Sequence, residues 1–466
     1  MSLESQARQR VEECKANIVH IDSQIRDLER LRERDRATIA ALQVVLSPIA
    51  HLPCELLTEI FQIYLTVEPF PCWHVEVPFK DMLTLTHVCA YWRKIALTTP
   101  LLWVQKMFPL TLKAGGFSRE ATKVFLERSA PLPISVRLSD RLAPSPRFEW
   151  LPFLQDLLGS ADKWRTLELS LPSLTMLTNI PPGTLKALET ASLRSKATHR
   201  WGPKINAFLT APLLHTVELH VEDPEWFPMP WSQLTCLTMT TTPQTCMATM
   251  AICSNLLSIT LFTQGLPQSA LSSVVTLLTL SSEGEHFKPF LRSLDLPRLK
   301  TFGMHLYEED APFFQWSGAA FHQFQTRSPH LECLVLDHCR ITVEELRTVL
   351  LRAADLKDLR LMGHIQCVDD DLLRALRYRQ SDSELAPKLE TLWFEYITAA
   401  FDEETLEEVI GSRWLTGTSM PTPARLKHVQ YSDGREKTFT RRFLDEMDRY
   451  RFEGLKVAGQ FEAEDD

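Results

Sequence analysis

The chain has 466 residues, of which 44% are hydrophobic and 23% charged, and its formal net charge is −9. This composition can build a sizeable core, spread over several domains or one extended one. The acidic balance argues against a nucleic-acid-binding protein, because phosphate contacts need lysines and arginines clustered on one surface. A membrane-spanning helix needs roughly 18 or more apolar residues in succession, and the sequence contains no such run.

Cysteine usage and the amino terminus indicate the compartment. The ten cysteines are scattered and never spaced as a CxxC pair. Several lie inside apolar runs, which is typical of reduced, buried thiols. The opening segment, MSLESQARQRVEECK, is polar and lacks the apolar core of a secretion signal. We therefore expect an intracellular protein, cytoplasmic or nuclear.

Residues 1–46 are predicted to form a long helix, because 4–46 contain no glycine or proline and carry dense charge of both signs. Two lines of residues spaced by seven and offset by three form the a/d seam of a coiled coil: Val11, Cys14, Ile18, Ile21, Ile25, Leu28, Ile39 and Leu42. Arg32 and Asp35 interrupt this seam. Two interpretations stay open, a homodimeric coiled coil through residues 11–42 or one helix folded back on the chain.

Residues 47–108 are predicted to contain two short amphipathic helices, separated by a proline-rich loop insert at 66–80. The first helix begins near Pro53, which suits a first turn. Its apolar face is formed by Leu56, Leu57, Ile60, Phe61 and Tyr64. So small a module cannot bury this much apolar surface by itself, and we therefore expect it to bind a partner.

The motif order LPxELLxxIF, VCxxWRxIA and LW in this segment resembles an F-box. The long insert resembles the F-box families of mushroom-forming (basidiomycete) fungi, whereas a compact F-box has a shorter connection. The resemblance implies a small all-α module that docks the Skp-type adaptor of an SCF (cullin–RING) ubiquitin ligase. Carried over by motif position, the residues that contact the adaptor or brace the contact are Leu52, Pro53, Leu56, Ile60, Phe61, Val88, Trp92 and Trp103.

Residues 109–460 return twelve times to one pattern, in which a large apolar residue is followed three and five positions later by two more. Leucine-rich repeats have about 20–29 residues, each with a strand and a helix or turn. The segment at 334–342 matches such a repeat, with Cys339 at the usual Asn/Cys position. Thr342 and Glu345 then form a capping box that predicts the start of a helix. Most other repeats lack the Asn/Cys residue, so we predict an irregular array.

The predicted fold is therefore α/β: an N-terminal long helix, a small all-α F-box, an irregular α/β leucine-rich-repeat solenoid (horseshoe) and an acidic tail at 461–466. An ordinary β-sheet domain is the alternative for the repeat region. In a solenoid, the residue between two buried ones faces outward on the concave sheet. These residues are Glu168, Glu218, Thr238, Thr260, Thr279, Arg360, Trp393 and Gln430. Because Trp and Arg are enriched at interface hot spots, we predict target binding by Arg360 and Trp393, with Glu218.

The sequence contains no phosphate-binding glycine loop, no HExxH and no GxSxG motif. His215 and His220 could flank one strand, but an unliganded surface pair explains them. We therefore predict no catalytic residues, no metal site and no cofactor. The predicted function is that of a ligase substrate receptor, which joins an unknown target protein to the adaptor and through it to a cullin. A leucine-rich-repeat scaffold without a ligase role is the alternative.

Overall fold

The structure is a computed structural model. It describes residues 3–46, 48–66, 80–104, 108–111, 119–139, 151–195, 203–263, 271–272, 275–282, 287–306, 316–363, 367–378, 385–397, 401–414, 425–433, 438–459 and 462–463. The predicted insert therefore lies almost wholly outside the described residues. The chain divides into two compact units, Met1–Lys106 and Met107–Asp466.

The first unit is helical. Its helices are α1 (Leu3–Leu46), α2 (Cys54–Thr66), α3 (Lys80–Val88), α4 (Ala90–Thr98) and α5 (Pro100–Trp103), with a 3-10 helix at Pro48–His51. The predicted long helix is confirmed, since α1 runs for 44 residues without a break. Its described side chains from 7 to 39 are all exposed, including those of the apolar seam.

Helices α2 to α5 enclose a small apolar core. The side chain of Phe61 on α2 is buried, and its ring centre lies 4.7 Å from that of Trp92 on α4. The indole nitrogen of Trp103 donates to the backbone carbonyl of Ala96 at 2.8 Å, which ties α5 to α4. The core is made of Leu57, Phe61, Leu65, Met82, Leu85, Ile95, Ala96, Leu102 and Trp103.

The second unit is built on one parallel sheet of 14 strands, in which each strand pairs with the next along the chain. These strands are β1 (Phe108–Thr111), β2 (Ile134–Ser139), β3 (Trp164–Ser170), β4 (Thr190–Arg194), β5 (Thr216–His220), β6 (Cys236–Thr241), β7 (Ser258–Thr263), β9 (Leu277–Ser282), β11 (Thr301–Leu306), β12 (Cys333–Asp337), β13 (Asp358–Met362), β14 (Thr391–Ile397), β15 (His428–Asp433) and β17 (Lys456–Gly459). Two small parallel pairs are β8 (Leu271–Ser272) with β10 (Leu294–Asp295) and β16 (Thr438–Phe439) with β18 (Glu462–Ala463).

Helices connect many of the strands: α6 (Arg119–Ser129), α7 (Leu151–Leu158), α8 (Pro243–Ile252), α9 (Phe287–Ser293), α10 (Gly318–Arg327), α11 (Val343–Leu351), α12 (Asp370–Leu376), α13 (Glu403–Trp414) and α14 (Arg441–Phe452). Short 3-10 helices lie at Ala161–Lys163, Thr175–Asn179, Asn206–Phe208, Pro224–Trp226 and Trp231–Gln233. None of the helices in the described part of the chain combines the length and the low polarity needed to cross a bilayer.

Side-chain alternation gives the sheet two different faces. Leu334, Leu359 and Leu392 stand in register on β12, β13 and β14, and all three are fully buried. The helices cover this face, since the Phe302 ring on β11 lies 5.2 Å from the Phe324 ring on α10. We call the opposite surface, formed by the alternating residues of the 14 strands, the open face. The predicted α/β solenoid is confirmed by this ordered array of parallel strands.

Two details of the repeat prediction were wrong. The array begins earlier than the first predicted triplet, with β1 and β2; in β2 the triplet was not recognised because Pro133 stands three positions before Val136, where the pattern requires a large apolar residue. At the other end, Phe452 is 94% exposed, since it closes α14 instead of leading into β17. Of the predicted acidic tail at 461–466, the structure describes Glu462–Ala463, which pair with β16.

Candidate functional site

Helix α2 has two apolar stripes, and only one of them packs into the core of the first unit. Residues 57, 61 and 65 turn inward, whereas a second stripe turns outward. Leu56 is 48% exposed and Ile60 is 42% exposed, and this exposure is informative because further exposed apolar side chains adjoin them on the same helix. We define the α2 outer face as Leu56, Ile60, Ile63 and Tyr64, all of them exposed.

The chain entering α2 extends this apolar surface. Pro53 is exposed and Leu52 is half-buried immediately before the helix. The Tyr91 hydroxyl approaches the Leu52 carbonyl at 3.5 Å, which places α4 beside the start of α2. Val88, at the end of α3, is also exposed. Exposed apolar patches of this kind mark protein-interaction sites.

Phe61 departs from its predicted role as an adaptor contact. It is 0% exposed, because it lies one turn after Leu57 on the stripe that packs against Trp92. A partner bound to the α2 outer face would therefore not contact Phe61 directly. Phe61 would instead support the helix from the core side. Trp103 is likewise buried, whereas Trp92 is partly exposed.

On the open face of the second unit, Arg360 and Trp393 form one cluster. They stand in register on β13 and β14, and the guanidinium lies 5.0 Å from the centre of the indole ring. Asp358 holds the Arg360 side chain through bonds of 2.7 Å and 3.1 Å. The indole nitrogen donates to Glu395 at 2.9 Å. Both side chains are thus held by hydrogen bonds to neighbouring carboxylates and are partly exposed.

Glu218 belongs to a separate cluster, since β6, β7, β9, β11 and β12 stand between its strand β5 and β13. Its carboxylate accepts from Ser192 at 2.7 Å and from Arg194 at 2.5 Å, and it lies 2.7 Å from Nε2 of His220. The hydrogen bond with His220, helped by Ser192 and Arg194, lowers the pKa of Glu218 to about 2. Ser192 and Arg194 were missed by sequence reasoning, because their contact depends on the register of β4 and β5.

This lowered pKa makes a prediction about acid stability. Ionised Glu218 stabilises the fold above its ordinary pKa of 4.5, and this contribution is lost as the pH falls from 4.5 towards 2. After allowance for solvent screening, we expect Glu218→Gln to cost about 1 kcal/mol at pH 6. Urea unfolding of both proteins at a series of pH values checks this. A stability difference that stays constant down to pH 3.5 would contradict it.

A third cluster on the open face was absent from the sequence predictions. His305 on β11 stands in register with Asp337 on β12, and His338 follows directly. Nδ1 of His338 lies 2.8 Å from one carboxylate oxygen of Asp337, and Nδ1 of His305 makes a short contact with the other. The bond to Asp337 raises the pKa of His305 above its ordinary value. No linear motif links residues 32 positions apart, so only the strand register reveals this cluster.

No protein-family model matches the chain. No curated protein matches it either. Among solved structures, the chain is similar to an internalin of Listeria monocytogenes, with 14% identity and a TM-score of 0.33 over 72% of this chain and 82% of the internalin. It is also similar to TLR13 in a TLR13–ssRNA13 complex, with 15% identity and a TM-score of 0.33 over 61% of this chain and 42% of TLR13.

Both structures are leucine-rich-repeat proteins. Similarity at this level leaves the function to be argued from this chain's own side chains.

Proposed function

We propose that this protein is the substrate receptor of an SCF (cullin–RING) ubiquitin ligase. The observation that carries the proposal is the α2 outer face, an exposed apolar surface on a helical module whose own core is already filled. It occurs where the chain has the F-box motif order LPxELLxxIF. The occupant we propose is a Skp-type adaptor, through which a cullin joins the assembly.

The division of the apolar residues supports this proposal. Phe61 and Trp103 complete the inner core, so the module does not need Leu56 or Ile60 for its own packing. Burying the side chain of Leu56 or Ile60 against a partner would stabilise the complex by about 1.5–3 kcal/mol each. The adaptor contacts we propose are therefore Leu52, Pro53, Leu56, Ile60 and Val88, with Phe61, Trp92 and Trp103 as their supports.

The repeat array would hold the protein that is to be modified. The Arg360 and Trp393 cluster is rigid and partly exposed, and residues of these types dominate binding energy at protein interfaces. The receptor itself does no chemistry. It raises the local concentration of the target near a charged ubiquitin carrier, so that an intermolecular transfer becomes effectively intramolecular.

A protein-binding scaffold without a ligase role is the second candidate, because the open face could bind a partner whether or not an adaptor is present. Affinity purification of the tagged full chain from its own cells separates the two functions. Recovery of a Skp-type adaptor together with a cullin supports the receptor. Recovery of other partners without a Skp-type adaptor or a cullin favours the scaffold, provided that the same mass-spectrometry run detects other cullin complexes.

We further propose that α1 pairs with a second copy of this chain through residues 11–42. The apolar seam of α1 is exposed over its described length, and a heptad seam is buried when two helices coil together. Ile18→Asp with Ile25→Asp should convert a dimer into a folded monomer, because like charges would face each other at the centre of the seam. Light scattering at micromolar concentration measures the mass.

The matched control for this prediction is Ala16→Asp with Ser23→Asp. These residues have the same seven-residue spacing and are also exposed, but they lie away from the seam. The control variant should remain dimeric. A wild-type protein that is monomeric in the same experiment would contradict the coiled coil.

A further inference from the structure

We propose that His305, Asp337 and His338 bind a divalent transition-metal ion of the zinc class on the open face of the sheet. Their ligand atoms, two imidazole nitrogens and one carboxylate oxygen, all lie within 4.8 Å of one another. In a tetrahedral zinc site, bond lengths of about 2.0–2.2 Å place neighbouring ligand atoms roughly 3.4 Å apart. The three side chains therefore need only small rotations to enclose an ion.

The backbone holds the two strands so that the ligands converge. His305 and Asp337 are directly paired in the β11–β12 register and both point to the open face, alternating with buried Met304 and Leu336. The rigid sheet thus fixes two of the three ligands, which is how a binding site is preorganised.

The third ligand is brought in by an unusual backbone conformation. His338 has a φ of +54°, in the left-handed region that residues other than glycine adopt only rarely. The turn directs its ring back towards Asp337 instead of away along the strand. Conformations of this kind persist where the surrounding structure enforces them, and they cluster at functional sites.

Gly363 provides the space for this arrangement. It has a φ of +70°, and a Cβ atom here would overlap both the His338 ring and the Asp337 carboxylate. The backbone just after β13 thus leaves room for the imidazole and the carboxylate, and any residue with a Cβ atom at position 363 would displace them.

The chemistry of the ligands favours a zinc-class ion. Imidazole nitrogens suit zinc and the neighbouring first-row metals, whereas calcium and magnesium prefer sites made wholly of oxygen. Three protein ligands leave a fourth coordination position, which would be open to solvent because all three side chains are partly exposed. Water or a side chain of a bound protein could fill it. Without an ion, the carboxylate bridges the two imidazoles by hydrogen bonds instead.

The test is a titration of the full chain with Zn²⁺, in which bound metal and the shift of the thermal midpoint are both measured. The variants are Asp337→Asn and His338→Asn, the second chosen because asparagine tolerates the left-handed conformation. His330→Asn is the matched control, since His330 also contacts an aspartate, Asp355 at 3.4 Å. The four proteins share every other side chain that can bind zinc, including the cysteines, so the comparison between them isolates the proposed site.

We expect the wild type and His330→Asn to bind one more equivalent of Zn²⁺ than the two ligand variants, whose affinity should fall by about 100-fold or more. Zinc should raise the thermal midpoint of the first two proteins more than that of the two ligand variants. Mg²⁺ and Ca²⁺ should have no such effect. Equal Zn²⁺ binding by all four proteins would overturn the proposal. If Asp337→Asn fails to fold, His338→Asn alone decides.

Discussion

Replacing Leu392 with alanine is expected to cost about 2–5 kcal/mol of unfolding free energy, because the side chain is fully buried between the sheet and its helices. Replacing the adjacent Trp393 with alanine should cost less than about 1 kcal/mol, since this side chain lies on the open face and no core is emptied. Trp393→Ala and Arg360→Ala should instead weaken binding of the target protein while adaptor binding stays intact. Leu359→Ala, one strand away, should behave as Leu392→Ala does.

Leu392 and Trp393 serve as controls for each other, because they are neighbours on one strand and occupy opposite faces of the sheet. Urea unfolding of the full chain gives the stability of each variant. Quantitative proximity labelling, normalised to the wild type, gives target binding. A Trp393→Ala protein that unfolds as readily as Leu392→Ala would mean that the two faces of β14 are assigned the wrong way round.

The strands of the array could be predicted because burial repeats at fixed spacing. Leu331, Leu334 and Leu336 predict one strand, which the structure contains as β12. The capping box at Thr342 and Glu345 predicts the helix after it, and this box is present in the structure. Cys339 fits its predicted repeat position, since it is buried and its thiol lies 3.4 Å from the Asp337 carbonyl. Such signals are local, so a single sequence contains them.

What could not be predicted depends on contacts between distant parts of the chain. Arg413 reads as a surface residue of an amphipathic helix, yet it is buried and donates to the backbone carbonyls of Leu376, Leu385 and Ala386. The cluster of His305 with Asp337 likewise requires knowledge of which strands pair. In both cases the partners are more than 25 residues away, beyond the reach of helical or strand periodicity.

The α2 helix shows an intermediate case. Its apolar positions were correctly recognised, but their division into two stripes was not, and Phe61 was assigned to the wrong one. At 100° per residue, Ile60 and Phe61 point in well separated directions. Which of them faces the core depends on Trp92, more than 30 residues further along the chain.

Loss of adaptor binding is the second large effect that we expect. Leu52→Ala, Pro53→Ala and Leu56→Ala together should abolish retention of a Skp-type adaptor, since truncating a central interface contact typically costs 2 kcal/mol or more. The repeat array should stay folded, because each repeat contacts mainly its neighbours. The matched control changes three exposed leucines of the second unit to alanine: Leu209, Leu213 and Leu351.

Coexpression of the tagged full chain with a Skp-type adaptor, followed by affinity capture, tests the central claim most directly. The wild type and the triple control should retain the adaptor in a stoichiometric complex, whereas the Leu52, Pro53 and Leu56 variant should retain none while remaining folded by circular dichroism. A wild type that does not retain the adaptor, or a variant that retains it as well as the wild type does, would contradict the assignment of a ligase receptor.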